Sequence, residues 1–245
     1  MVGPACFRAL REVVGFSLLS WAHQLLNPGK PQGLVPVFDT APALTDYVKS
    51  RLQEALDANN GQHPRVIVVL RRCGKGAVDF CSAVGLPQES ALKWDMAETA
   101  PGGPFQEIAA SDVFLNCVYL GAHRIPPFVT HESLSLPGRR LRVTCDVSCD
   151  TNSENNPIPV YSSYSSFENP TTPASPQLDS PEPRVIVIDR LPTLVARECS
   201  EEYSILLLPN LLTLYRRDRG GAWKRAEQTY RIVRREQRSQ HREES

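Results

Sequence analysis

The sequence predicts an α/β protein, a Rossmann-like doubly wound parallel sheet with helices at both ends of the chain. Three observations carry this. Val66-Ile67-Val68-Val69-Leu70, Val113-Phe114-Leu115 and Val185-Ile186-Val187-Ile188 are nearly continuous aliphatic or β-branched runs, the pattern of strands buried on both faces. Segments of helical period separate such runs, as layered α/β folds require. A glycine-bearing turn, Arg71-Arg72-Cys73-Gly74-Lys75-Gly76, follows the first strand, and an acid, Asp95, closes the next one.

Taken in order, Phe7 to Leu26 places Phe7, Leu10, Val14, Leu18, Trp21 and Leu25 on one helical face. Asn27-Pro28-Gly29 ends that helix, because proline cannot continue the ladder and glycine frees the turn. A proline-rich loop leads to a second helix from Ala43 to Ala58, whose buried face is Leu44, Tyr47, Val48, Leu52 and Leu56. The strand from Arg65 to Leu70 then leads through the turn into a helix from Ala77 to Val84. A short strand is expected from Leu92 to Trp94, a helix from Phe105 to Ala110, and strands from Val113 to Tyr119 and from Leu141 to Val147. Residues 151–183, crowded with Ser, Pro, Asn and Thr, read as a long, partly mobile loop. After the strand ending at Asp189, Glu201 to Tyr215 is a leucine-rich helix interrupted near Pro209. From Trp223 onward a charged helix follows, whose basic character is expected to be a solvated face.

Composition narrows the function classes. Lys plus Arg equals Asp plus Glu at 27 each in 245 residues, so no overall basic excess favours nucleic acid as a partner. The seven cysteines form no CxxC pair, which points to reduced thiols, an intracellular setting and no metal site. No run of 18 apolar residues occurs, so no membrane span is expected, and a cytoplasmic protein is the default reading.

The unit of strand, glycine turn, helix, strand and acid carries the chemistry. Glycines after a strand let backbone approach a pyrophosphate, and the following helix N-terminus offers N–H donors. Asp95, about 20 residues past the turn, stands where a carboxylate accepts the adenosine ribose hydroxyls and repels a 2′-phosphate. That favours NAD over NADP. The turn does not match GxGxxG, and an α/β domain with a glycine-bearing turn and no cofactor fits the spacing equally well.

Several stretches add to this: Arg72-Cys73-Gly74-Lys75-Gly76-Ala77-Val78-Asp79, Lys93-Trp94-Asp95-Met96-Ala97-Glu98-Thr99, Gly102-Gly103-Pro104-Phe105-Gln106-Glu107-Ile108, Asn116-Cys117-Val118-Tyr119-Leu120, Ile125-Pro126-Pro127-Phe128, Asp146-Val147-Ser148-Cys149-Asp150-Thr151 and Leu191-Pro192-Thr193-Leu194. In this order, and over nearly the whole chain, they resemble the fungal NAD-dependent, lysine-forming saccharopine dehydrogenases. The resemblance implies two α/β domains, with NAD and a small-molecule substrate, saccharopine or a related amino acid, in the cleft between them. It implies oxidation of saccharopine to lysine and 2-oxoglutarate in lysine biosynthesis. Carried over by position, Arg71, Arg72, Asp95, Thr99, Tyr119, Val147, Ile188, Asp189, Arg190 and Leu191 would contact the cofactor, and Ser148, Cys149 and Asp150 the substrate.

The resemblance also has departures. Arg71 stands where the family turn has glycine and Lys75 where it has serine. Arg71 either obstructs backbone approach, the favoured reading, or supplies charge to the phosphates. Arg190 replaces a histidine and Ala196 a proline. The family's acid–base lysine and histidine lie in an N-terminal portion with no counterpart here, so no catalytic residue is assigned. The implied organisation is an inter-domain helix, residues 1–26, left from a mostly missing second domain; a dinucleotide-binding domain, 27–183; and a strand and helices, 184–245, packing back toward the first domain. A catalytically inactive NAD-binding or interaction module is one alternative. A diverged oxidoreductase of fungal specialised metabolism is another.

Cys73 and Cys117 fall at strand ends, where either a disulfide or two inert buried thiols fit. Cys145 and Cys149 lack the paired histidine a zinc site needs. His23 is expected to pack or cap, and His63, His123 and His131 to lie in surface loops. Phe7, Val14, Leu18 and Trp21 are expected to form an exposed apolar stripe through which a family monomer could self-associate.

Overall fold

Four aliphatic segments become the centre of a parallel sheet because each has apolar side chains pointing both ways. The computed structural model describes residues 5–69, 75–118, 124–148, 151, 153–174, 178–179, 181–219 and 221–243. Its strands are β1 (Val66–Val69), β2 (Ala91–Trp94), β3 (Val113–Asn116), β4 (Val143–Asp146), β5 (Thr172–Pro173) and β6 (Arg184–Ile186). They form one sheet in the order β2-β1-β3-β4-β6-β5. All neighbours are parallel except β5, which pairs antiparallel with β6 at the edge. The order reverses at β1, with β2 on one side and β3 on the other. This is the switch point where doubly wound sheets open a crevice at the carboxyl ends of their strands.

Strand period two divides the sheet into two faces. Val66, Val68, Val113, Leu115, Val143 and Cys145 join one buried cluster with α1 (Ala5–Leu26), α2 (Ala41–Ala58), α3 (Lys75–Ala83) and the 3-10 turn Leu191–Val195. Ile67, Val69, Phe114 and Val185 join the other, with α5 (Gln106–Ala109), α6 (His131–Ser135) and residues 158–161. The remaining helices are α4 (Met96–Thr99), following β2, and α7 (Ala196–Leu211) and α8 (Gly221–Glu243) at the end.

The first helix differs from its sequence reading. Val13, Val14, Phe16, Leu18, Trp21 and Ala22 are all at most 2% exposed, so α1 is buried around its whole circumference and not along one face. The expected exposed stripe is therefore corrected at Val14, Leu18 and Trp21, which are buried; the side chain of Phe7 lies outside the described residues. Full burial of a side chain of this size contributes roughly 2 kcal/mol, which makes α1 a principal part of the core. Helix α2 starts at Thr40, whose hydroxyl accepts from the Ala43 amide at 3.3 Å, an N-cap that satisfies a backbone donor left over at a helix start. Leu44, Val48, Leu52, Ala55 and Leu56 are buried as the period requires. Tyr47 is not; it is 37% exposed, its ring 5.3 Å from that of Phe38 and tilted to it by 51°.

Residues 151–183 are largely loop, as expected, but several of them are packed into the core. Ile158, Val160, Tyr161 and Ala174 are buried in the second cluster, and β5 closes the sheet edge. The signal was faint because the apolar residues are isolated among Ser, Pro and Asn. His131 opens α6 and does not lie in a loop, and His63 is half-buried.

The amino edge of the sheet is tied by Asp112, which accepts from the Arg65 amide at 2.8 Å and pairs with Arg140 at 2.9 Å. By contact the chain divides into Met1–Cys199 and Ser200–Ser245. The boundary expected at 183/184 runs between β5 and β6, which are paired. In the second unit α7 carries Pro209 within its span, and the Trp223 indole donates to the Asn210 carbonyl at 2.6 Å. No helix among the described residues is long and apolar enough to cross a membrane.

Candidate functional site

A parallel sheet aligns its strand exits on one edge, and polar residues at those exits face a common crevice. Asp95 follows β2, Val147 and Ser148 follow β4, and Ile188 to Leu191 follow β6. All therefore belong to the carboxyl edge of one sheet. Arg71, Arg72, Cys73, Tyr119, Cys149 and Asp150 lie outside the described residues. The segment containing Arg71 and Arg72 is bracketed by β1 and α3.

Asp95 is exposed and caps α4. Its carboxylate accepts from the Met96 amide at 2.8 Å, while Glu98 accepts from the Asp95 amide at 2.7 Å, a reciprocal capping box. The Asp95 amide, and then the backbone of Glu98 itself, hold the Glu98 carboxyl below its usual range. A carboxylate has about four lone-pair sites, so the capping role leaves acceptor capacity directed to solvent. Thr99 donates its hydroxyl to the Asp95 carbonyl at 3.0 Å. That bond joins the end of the short helix to its start.

Beyond β6 the chain turns sharply. Ile188 and Leu191 are buried, and Asp189 and Arg190 between them are exposed. The Arg190 carbonyl accepts from both the amide and the hydroxyl of Thr193, at 3.0 and 2.7 Å, so the exposed pair sits on a turn closed from below. Val147 and Ser148 are half-buried, and the Val147 amide donates to the Asn116 carbonyl at 2.9 Å, extending the β3–β4 ladder past the last residue of each strand.

The strand exits also contain a buried polar group that the sequence reading left without a role. Asp146 is fully buried. One carboxylate oxygen accepts from the Asn116 side-chain amide and from the Ser148 backbone amide, each at 2.9 Å. The other accepts from the Tyr161 hydroxyl. Burial raises the Asp146 pKa, and the bonds from Tyr161, Asn116 and Ser148 act against that rise. Two clues were readable: Val-Phe-Leu and Val-Thr-Cys each end in a polar residue, Asn116 and Asp146. Tyr161 had no such clue, because its contact with Asp146 is made only through the fold.

Cys117 and Cys145 are buried. Among the described residues no group of three or more His, Cys, Asp or Glu could hold a metal ion. His23 lies in the last turn of α1, its ring 3.1 Å from the Lys30 carbonyl and 3.5 Å from the Asn27 side-chain amide.

No family profile matches the sequence. Individual relatives do. The chain is 47% identical over 219 residues to a saccharopine dehydrogenase (NAD(+), L-lysine-forming) of Schizosaccharomyces pombe, a match covering 89% of this chain and 59% of that protein. It is 47% identical over 212 residues to the protein of the same name from Neurospora crassa, covering 86% and 56%. With that of Candida albicans it shares 42% over 227 residues, covering 87% and 58%. The chain thus spans less than three fifths of the length of the curated relatives it matches.

Proposed function

From a chain that is a relative of the fungal NAD-dependent, L-lysine-forming saccharopine dehydrogenases, we propose that it performs the dinucleotide-binding part of saccharopine oxidation. In that reaction saccharopine is oxidised and hydrolysed to lysine and 2-oxoglutarate. The observation that carries the reading is the exposed Asp95 carboxylate just beyond β2 of a doubly wound sheet, combined with the named relatives. NAD, when bound, is the hydride acceptor. The protein binds and orients it.

Asp95 accepts the adenosine ribose hydroxyls and its charge disfavours a 2′-phosphate. Arg71 and Arg72 belong to the pyrophosphate-binding turn by sequence position, and Arg71, in place of a family glycine, lowers the affinity. Tyr119, Val147 and Ile188 to Leu191 line the remainder of the dinucleotide cleft, and Thr99 supports Asp95. Ser148, Cys149 and Asp150 stand on the substrate side. Saccharopine or a related amino acid is the small-molecule partner, and the cytoplasm is its setting.

The coverage of relatives below three fifths favours one further reading, a module that binds NAD without turning over substrate. Two measurements on the purified chain separate these: NAD binding, and NADH formation from saccharopine and NAD. Both together support the enzyme; binding without NADH formation supports the module. A folded chain that does neither refutes both.

A further inference from the structure

The exits of β3 and β4 are held together by side chains where the backbone ladder ends. Asn116 and Asp146 are register partners, the last residues of their strands. The Asn116 side-chain oxygen accepts from the Val118 amide at 3.3 Å. The Ser148 hydroxyl donates to the Val118 carbonyl at 2.5 Å and accepts from the Asn116 side-chain amide at 3.3 Å. Both backbone groups of Val118 and the backbone amide of Ser148 are thus fixed by the side chains of Asn116, Ser148 and Asp146. Tyr161, brought in from the segment after β4, donates to that carboxylate's second oxygen.

Such a group is costly to bury, and apolar residues of similar volume would give stability more directly. What a fully satisfied polar network supplies is a single arrangement of the segments it joins. Here those segments are the exits next to the switch-point crevice between β1 and β3. Asp95, at β2, is two strand spacings from β3, roughly 10 Å. A dinucleotide whose adenosine ribose meets Asp95 therefore crosses the crevice with its nicotinamide half toward β3 and β4.

We propose that Asn116, Asp146 and Tyr161 are positioning residues, a latch that fixes the exits of β3 and β4 against the nicotinamide half of NAD. Ser148 takes part in the latch through its own hydroxyl. This rests on the NAD reading. Its consequence is asymmetric: releasing the latch weakens the whole dinucleotide and spares a ligand that occupies only the adenosine end.

The test uses the full chain and the variants Asp146→Ala, Asp146→Asn and Tyr161→Phe. Affinities for NAD and for AMP are measured by calorimetry well below each variant's unfolding temperature, with amide exchange followed at Val118 and Ser148. Asp146→Ala and Tyr161→Phe should weaken NAD about tenfold, the loss expected for a hydrogen bond to a charged group. AMP affinity should hold within about twofold, and both amides should lose protection. Asp146→Asn keeps an acceptor oxygen for Asn116 and Ser148 and should recover most of the NAD affinity. Unchanged NAD binding in the Ala and Phe variants overturns the latch, and so does an equal loss for NAD and AMP, which marks a general structural defect. If Asp146→Ala does not fold, Tyr161→Phe, which removes only a hydroxyl, decides. If the wild-type chain binds neither ligand, the NAD reading itself fails. Amide exchange then rules on the latch alone, with retained protection in the variants overturning it.

Discussion

Asn116 and Asp146 lie side by side at the ends of adjacent parallel strands, the amide of one donating to the buried carboxylate of the other at 2.9 Å. Asn116→Leu removes one donor to that carboxylate and the side-chain acceptor of the Val118 amide. Loss of a hydrogen bond to a buried charged group costs about 2–3 kcal/mol. Denaturant unfolding should show a loss of that order, and a variant as stable as the wild type contradicts the network's description.

Glu12, on buried α1, gives a pH dependence. It is 2% exposed, and burial raises its pKa from 4.5 to about 8; the Cys199 thiol bond at 3.8 Å and Arg11 act against this rise, and Glu198 adds to it. Across that interval the folded chain holds a proton that the unfolded chain has released, so stability falls as pH rises from 4.5 to about 8 and then levels off. Glu12→Gln should remove most of this slope, an effect of a few kcal/mol at most. Unfolding free energies of both proteins across this range check it. Parallel curves would contradict the assignment.

Gly103 is required by close approach. A Cβ there would stand 2.1 Å from the Pro127 carbonyl oxygen, backbone that cannot rotate away. Gly103→Ala should destabilise by about 1–3 kcal/mol, as overpacking does, and should displace the turn that leads to Phe105 and its contact with Trp94 at 5.2 Å. Thermal unfolding measures the loss; an unaffected melting temperature would show that the turn is laxer than described.

Asp95→Asn separates the two roles of that residue. Asparagine caps helices as well as aspartate does, so α4 should persist with stability little changed. Loss of the charge should weaken NAD several-fold and narrow its preference over NADP, by the ribose argument. Paired titrations with the two dinucleotides measure this. An unchanged preference would place the discriminating group elsewhere.

The sheet was readable because its signal is redundant: β-branched runs such as Val66 to Val69 fit little besides a strand buried on both faces. Asp95 at the end of β2 was readable for the same reason, since chain order and spacing put it there. Other features depend on partners far along the chain. Trp21 and Val14 fit a one-faced helix in sequence, and only the packing of α2, α3 and the 3-10 turn around α1 buries every side of it from Glu12 to Ala22. Tyr161 sits among serines and prolines, and its bond to Asp146 is a product of the fold that no local period encodes. Ser148 was legible as a residue of the strand exit. Its hydroxyl's engagement with Val118 was not, because that depends on the β3–β4 register.

NAD binding along the carboxyl edge of the sheet is the proposal on which the others depend. Calorimetric titration of the purified full chain with NAD and, in parallel, with NADP decides it. Saturable binding of one NAD per chain, tighter than that of NADP, is expected, with a rise in melting temperature as NAD is added. A folded chain that gives no binding heat and no thermal shift with NAD contradicts it.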